Sequence, residues 1–423
     1  MIDIKLIRAN PDRFVQAARA KRMDMDMAAL LDLDARLLKA RQEFQELRSS
    51  QNAASKDIAK LKGDEKQAAI AKMGQIKARL KEVSDVVDQL EPQFNAMMLL
   101  VAQPADPDVP EGKDDTENVE IRREGEVRKF DFEPKDHMQL GKELDIIDVE
   151  RGVKLSGSRH YFLKGAGAQL HQAILRLAVD QMVAKGYCLM TVPLLVNESI
   201  MYGTGYFPLG RDQAYLAERD AQSLVGTAEV PVTAYHSDEI LDEADLPRKY
   251  VAMSTCFRRE AGAAGKDTYG IYRIHQFDKV EQVVLCRNDV ELSKQFHREI
   301  VQNAEDVLKA IELPYRIVNV CTGDLGQGQA QKFDIETWMP SRNSYGETHS
   351  ASRFYEFQAR RLNMRYRDGE GNIKFVHTLN NTVIASPRVL IPLLELYQNA
   401  DGTVTVPKAL RPYMGGMEVI RPK

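Results

Sequence analysis

The 423-residue chain is long enough for two or three domains, and 43% hydrophobic with 28% charged residues is an ordinary composition with enough apolar surface for a sizeable core. No stretch approaches the ~18 uninterrupted apolar residues of a membrane-crossing helix. The opening MIDIKLIRANPDRF has neither the apolar core of a secretory signal nor the acid-poor character of a transit peptide, since Asp3 and Asp12 fall within it. Cys188, Cys256, Cys286 and Cys321 show no CxxC spacing, which argues against a zinc site or a disulfide framework and points to a reducing, cytoplasmic location. Net charge is −4, but Arg36–Lys81 carries twelve Lys/Arg against five Asp/Glu, a local +7 that leaves −11 for the remainder. A basic segment on an acidic body is the pattern to explain.

In chain order, Asn10-Pro11-Asp12 reads as a helix start with proline in the first turn. Two apolar seams follow. Leu30, Leu33, Leu37, Ala40, Phe44, Leu47, Gln51, Ala54, Ile58 and Leu61 alternate spacings of 3 and 4, as do Ala69, Met73, Ile76, Leu80, Val83, Val87, Leu90, Phe94, Met97 and Val101. Such seams predict coiled-coil helices. The break between them, Lys62–Ala68, is too short to run back along a helix about 46 Å long, so the pair is expected to be antiparallel with its tip near Gly63. Pro92 is expected to kink the second helix. A dimerisation coiled coil would share this periodicity. The outer face, biased to one sign rather than alternating, also suits tracking of a phosphate backbone. The stretch from Gln103 to Gly112, with prolines at 104, 107 and 110, reads as a stiff linker and domain boundary.

Beyond residue 113 the pattern is α+β. A helix is expected over Ala166–Lys185, then an extended run Tyr187–Leu195 interrupted by Pro193. Two β-rich runs, Lys249–Arg258 and Arg273–Leu285, flank a Gly-rich loop and predict an antiparallel hairpin, with a closing helix over Ser386–Tyr397. Gly262–Lys266 lacks the spacing of a phosphate loop, Gly165-Ala166-Gly167 lacks the third glycine of a dinucleotide fingerprint, and no GxSxG, HExxH or HRD constellation occurs. Phosphate chemistry would then fall to arginines. Strand alternation puts Cys256 and Arg258 on one face with Arg259 on the other, and lines up His275, Phe277, Lys279 and Glu281. Beside Val283-Val284-Leu285, Glu281 is costly to bury unless paired.

These segments carry a family resemblance. Cys256-Phe257-Arg258-Arg259-Glu260-Ala261-Gly262, followed by His275-Gln276-Phe277-Asp278-Lys279-Val280-Glu281, resembles motif 2 of bacterial-type seryl-tRNA synthetases. Gly226-Thr227-Ala228-Glu229-Val230-Pro231 resembles their serine-binding loop. Glu347-Thr348-His349-Ser350, ahead of Phe357-Gln358-Ala359-Arg360-Arg361, resembles their ATP/Mg²⁺ strand. His377-Thr378-Leu379-Asn380 and Arg388 stand where motif 3 belongs, and Pro193 where motif 1 ends. The resemblance spans nearly the whole chain, including the basic hairpin, the proline-rich stretch and Asp136-His137…Leu140-Gly141.

The resemblance implies a class II antiparallel sheet flanked by helices over 113–423. It is preceded over 1–112 by a tRNA-binding domain with a long antiparallel coiled-coil arm at about 27–101. It implies ATP-dependent activation of L-serine to seryl-adenylate, with diphosphate released, then transfer to tRNA(Ser) with release of AMP. Where the pathway exists, tRNA(Sec) is also implied, and so is a C2 homodimer. By the same likeness, ATP falls to Arg258, Arg259, Glu260, Glu347, Thr348, His349, Ser350 and Arg388, with Arg258, Arg388 and Glu347 central to catalysis. Mg²⁺ falls to Glu347 and Ser350, and serine to Thr227, Ala228, Glu229, Glu281 and Thr382. Arg41, Arg48, Lys56, Lys72 and Lys77 are the expected tRNA contacts. Asn381, Val383 and Pro387 replace the glycines usual in motif 3 and are expected to fill space beside ligand or helix. Three other readings compete: a non-catalytic tRNA-binding paralogue, a ligase that loads a carrier protein, and a structural coiled coil. The first requires loss of a catalytic residue, the second requires absence of the long arm, and the third leaves the motifs after residue 190 unexplained.

Overall fold

A computed structural model describes residues 1–58, 61–262 and 269–422. Lys60 and residues 263–268 of the Gly-rich loop, including the Lys266 end of the rejected phosphate-loop pattern, lie outside the described residues. Two compact units result, one of Ile2–Arg19 and Met23–Ala102, the other of Met1, Ala20–Arg22 and Gln103–Lys423.

In the smaller unit, the short helices Ile4–Ala9 and Pro11–Ala20 precede the long helices α1, Met27–Ile58, and α2, Gly63–Met98. Every seam position is buried or half-buried, and all but Leu61 and Val101, which lie beyond the helix ends, fall on the stripe one long helix turns toward the other. Leu33, Leu37 and Leu90 form the dry part of the contact. The turn is tighter than the periodicity suggests. Asp64 and Glu65, acids in a first helical turn, start α2 at Gly63 itself, so Lys62–Ala68 is mostly helix. Pro92 lies inside α2, which continues to Met98. Across the hairpin Arg41 pairs with Glu91 at 2.5 Å and Arg79 with Glu43 at 2.7 Å.

In the larger unit the spine is an eight-stranded sheet: β1 Val119–Glu124, β2 Cys188–Met190, β3 Arg248–Phe257, β4 Gln276–Cys286, β5 Tyr315–Asn319, β6 Gln331–Met339, β7 Ser344–Tyr355 and β8 His377–Ser386. Their spatial order is β1-β5-β6-β7-β8-β4-β3-β2, antiparallel throughout except β2 beside β3. The expected hairpin is β3–β4, with Phe257 opposite Gln276 and Ala252 opposite Glu281. Helices α3, Ala166–Ala184, and α4, Val290–Ala310, bury Ile174, Ala178, Ile300 and Ala304 in one core with Val280, Val284, Leu379 and Val383 of the central strands. Each buried Val, Leu or Ile among them contributes about 1.5–3 kcal/mol, the alanines less.

Of four register irregularities in the sheet among the described residues, two bear on the site: one between Ile335 and Glu336 where β6 meets β7, the other between Val280 and Glu281 where β4 meets β8. The extended run at Tyr187–Leu195 is only partly strand, Cys188–Met190 and then Leu195–Asn197. The closing helix α5 spans Leu390–Tyr397, so Arg388 lies in the turn before it rather than on it. Gln103–Gly112 packs within this unit: Val109 joins Val318, Val320 and Leu325, and the Asp106 carboxylate pairs with the buried Arg353 guanidinium.

Candidate active site

The site opens on the sheet face away from α3 and α4. A cavity of about 150 Å³ is lined by Arg258 after β3, by Phe277, Lys279 and Glu281 of β4, and by Glu347, Thr348, His349, Ser350 and Ser352 of β7. Asn380, Thr382, Ala385 and Ser386 of β8 and Arg388 complete that wall, with Tyr206, Glu229, Glu260, Tyr272 and Gln329 around them. A second, more open hollow of about 680 Å³ shares Tyr206, Arg258 and Glu260.

Strict alternation cannot produce this wall. Glu347 is an odd position and Ser350 an even one, so an unbroken strand would point them to opposite faces. The extra residue at Thr348 changes the parity: His349 pairs with Ile335 and Glu347 with Glu336. Similarly, Val383 is the extra residue of β8, which lets Ala385 join Asn380 and Thr382 on the cavity side.

At the closed end lies a buried charge cluster. Glu281 is 1% exposed and Lys279 5%, and their side chains form an ion pair. The hydroxyls of Thr227 and Thr382 stand 3.5 and 3.4 Å from Glu281 Oε2. Lys279 Nζ reaches Thr382 Oγ1 at 3.3 Å. A short helix, Glu229–Thr233, presents Glu229, whose Oε2 accepts from Tyr206 at 2.7 Å and whose Oε1 accepts from Gln358 at 2.8 Å. Burial pushes the Glu229 carboxyl above its ordinary range and the Glu281 charge adds to this, while the two donors and Lys279 oppose it. Thr227 sits behind Glu281, 1% exposed, and accepts from the Glu229 amide at 3.2 Å. Ala228 faces a core cluster with Val232 and Ala252 and does not line the cavity.

Toward the mouth the charge is positive and held in place. Arg258 lies 5.2 Å above the Phe277 ring and donates through Nε to the Gly226 carbonyl at 3.2 Å. Arg388 donates to the carbonyls of Tyr272 at 3.1 Å and Glu347 at 2.9 Å, and stacks 4.3 Å from the Tyr272 ring. Glu260 is paired with Arg273 at 2.9 Å. Desolvation in the cleft works against ionisation of Glu347, but Arg388, Lys332, Arg258 and Arg273 outweigh it and hold its carboxyl below the ordinary range. Burial drives His349 down to about 3, so it is neutral, with Nδ1 2.8 Å from Thr348 Oγ1. Arg259 is exposed and lines neither hollow.

The substitutions in motif 3 have a structural answer. Neither Asn381, Val383 nor Pro387 has a positive φ, so glycine is not required there. Asn381 points away from the cavity and donates to the Ile300 carbonyl of α4 at 2.6 Å, and Val383 fills the core. Space is therefore filled on the helix side, not beside a ligand. Lys279, Tyr206 and Gln358 were not singled out from sequence as site residues. Lys279 could have been, since it shares the β4 face with Phe277 and Glu281. Tyr206 and Gln358 reach Glu229 from distant segments and give no local signal.

In the smaller unit Arg41, Arg48, Lys56, Lys72 and Lys77 are all exposed on the outer faces of α1 and α2. Among the described residues, no helix is long and apolar enough to cross a membrane.

Comparison with known proteins places this architecture. Residues 215–397 match the family described as tRNA synthetase class II core domain (G, H, P, S and T), which sets the class. Residues 1–103 match the Seryl-tRNA synthetase N-terminal domain. The serine–tRNA ligase of Deinococcus radiodurans is 43% identical over 420 residues, 99% of each chain. Seryl-tRNA synthetase from Pyrococcus horikoshii, crystallised with ATP, superposes with a TM-score of 0.92 at 37% identity, covering 100% of both chains. The cytoplasmic enzyme of Naegleria fowleri, in complex with AMP, gives 0.88 at 30% identity over 100% of this chain and 99% of that one. The chain belongs to the seryl-tRNA synthetase family.

Proposed function

We propose that this protein activates L-serine with ATP and joins it to the 3′ end of tRNA(Ser), releasing diphosphate and then AMP. One observation carries the reading: arginines from two separate segments and carboxylates from four converge on one cavity, with Glu229, Lys279 and Glu281 gathered at its closed end. In the first step the serine carboxylate attacks the α-phosphorus of ATP and diphosphate leaves. In the second, a ribose hydroxyl of the tRNA terminus attacks the acyl carbon and AMP leaves. Neither step needs a protein nucleophile. What both need is orientation and positive charge on developing phosphate oxygens.

Arg258, stacked and tethered, meets the α-phosphate, and Arg388 the far end of the triphosphate. Glu260 seats the adenine end, with Thr348 and His349 framing the strand. The ionised Glu347 carboxylate and the Ser350 hydroxyl, brought to one face by the bulge, are hard oxygen donors. With phosphate oxygens and water they fit Mg²⁺, which favours few protein ligands. Among the described residues no cluster of three or more His, Cys, Asp or Glu forms a protein-only cage. When bound, the ion would supply further positive charge to the bridging oxygens.

Glu229 and Glu281 receive the serine ammonium, while Thr382 lines the small pocket and Thr227 supports Glu281 from behind. Lys279 compensates Glu281 and keeps that carboxylate oriented when no substrate is present. A site that hydrogen-bonds the serine hydroxyl rejects alanine by about 10⁴, because its buried polar groups would otherwise go unpaired.

The exposed cations of α1 and α2 are the tRNA(Ser) contact, reading shape and phosphates rather than bases, with tRNA(Sec) a second substrate where it exists. In this reading the hairpin-bearing unit that ends at Ala102 binds tRNA and the sheet-bearing unit, which takes in Gln103–Gly112, catalyses, in a cytoplasmic C2 homodimer. Diphosphate exchange into ATP, run in parallel with serine, threonine and alanine and with Arg258→Ala as control, tests the assignment. Serine alone should support exchange, and exchange equally supported by alanine would overturn it.

A further inference from the structure

Glu229 is held from behind. Gln358, on the short helix Phe357–Leu362, is 0% exposed and lines neither the catalytic cavity nor its neighbour. Its Nε2 donates to Glu229 Oε1 at 2.8 Å and to the Thr204 carbonyl at 3.1 Å, and its Oε1 accepts from the Thr378 hydroxyl at 2.6 Å. Thr378, on β8, is also 0% exposed. The amide therefore has a single satisfactory orientation. Turned over, its oxygen would face a carboxylate and a carbonyl, both acceptors, and its NH₂ would lose them. The Glu229 carboxylate and the Thr204 carbonyl, which only accept, mark which end of the amide is NH₂, and the Thr378 hydroxyl, donating to the other end, holds it there. On the other side Tyr206 donates to Oε2 at 2.7 Å.

One donor on each carboxylate oxygen leaves lone pairs free toward the cavity. The charged and titratable groups facing Glu229 are Glu281 and Lys279 from β4 and Tyr206 from its own segment. Glu281 disfavours the ionised form, so the donors behind Glu229 are what a buried carboxylate there requires.

We propose that Thr378 and Gln358 are positioning residues that fix Glu229 as the acceptor for the serine ammonium and so set the affinity for serine without touching it. The proposal rests on the serine-activating function above. It assigns the relay to recognition of the amino acid rather than of ATP, since neither residue approaches Arg258 or Arg388.

The test uses the full chain in serine-dependent diphosphate exchange, with the Michaelis constants for serine and ATP measured separately. Thr378→Val removes the hydroxyl at nearly constant volume and should raise the serine constant about tenfold, the ATP constant changing by less than about twofold. Thr378→Ser keeps the hydroxyl and should return the serine constant to within about twofold of the starting protein. Gln358→Met, which keeps length but not the donor, should exceed the effect of Thr378→Val. It should also move the acid limb of the serine constant toward neutral pH, because Glu229 then loses a bond that favours its ionised form. Should T378V fail to fold, Q358M read by the same split decides. An unchanged serine constant in T378V, equal rises for both substrates, or T378S behaving like T378V would overturn the relay. If the unmodified protein shows no serine-dependent exchange, it is the function, not the relay, that fails.

Discussion

On the helical hairpin Arg48, Lys56, Lys72 and Lys77 stand exposed in a stretch, Arg36–Lys81, where twelve Lys/Arg outnumber five Asp/Glu, whereas in the candidate active site Glu229, Lys279 and Glu281 are buried, Lys279 paired with Glu281 and Glu229 bonded to Tyr206. Exposed cations sit in high dielectric, act additively and are screened by salt. Buried charges are few and strongly coupled, and each depends on its neighbours. The two regions should therefore fail differently: the hairpin by degrees, the site all at once.

The largest effect is expected at Arg258. Replacing it with alanine should reduce serine-dependent diphosphate exchange by on the order of 10³, while tRNA affinity in a filter-binding titration stays unchanged. The reverse result, exchange intact and tRNA affinity lost, would erase the contrast.

Next comes the hairpin. Removing the charges of Arg41, Arg48, Lys56, Lys72 and Lys77 together should weaken tRNA binding by about 10²-fold. It should also flatten the plot of log affinity against log salt by roughly 0.7 per lost phosphate contact, with exchange preserved. Taken singly, Arg41 should matter least, because it is already engaged with Glu91.

Acidification gives a smaller, graded effect on substrate binding. The Glu229 carboxyl lies above its ordinary range, so as pH falls its proton returns earlier than an ordinary carboxylate's would. The serine Michaelis constant should rise on going from about pH 8 to about pH 5, and Glu229→Gln should abolish that slope.

Stability should show the least specific change. Burial pushes His297 and His349 down to about 3 and His377 to about 4, against an ordinary value near 6.5. Their contribution is present above pH ~6.5 and lost as pH falls toward the folded-state values, since the unfolded chain then binds more protons. All eight histidines lie in the sheet-bearing unit. Hydrogen exchange at about pH 5 should therefore show protection lost in β7 and β8 before it is lost in α1 and α2.

How far each region could be read in advance follows from the same contrast. The seams of α1 and α2 are periodic over ten positions each, and periodicity is local, so even half-buried positions such as Ala54 and Ile76 were legible. Arg258, Glu281 and Glu347 were found because ordered motifs resemble a family, and Glu281 also because a carboxylate beside Val283 and Val284 demands a partner. Its partner Lys279, two residues away, was placed on the same face but not identified as that partner. Tyr206 and Gln358 were out of reach, since tertiary folding alone brings them to Glu229. Arg388 was placed on a helix that begins two residues later, an ordinary uncertainty at a helix start.

The odd residue in β7 has a further consequence. Because Glu347 faces the same way as Ser350 only through the insertion at Thr348, the strand should accept many exchanges of side chain there but not a change in its count. Deleting Thr348 would swing Glu347 to the opposite surface while leaving every neighbouring pair intact. A length-altering lesion of one codon should thus silence the protein as completely as losing the carboxylate itself.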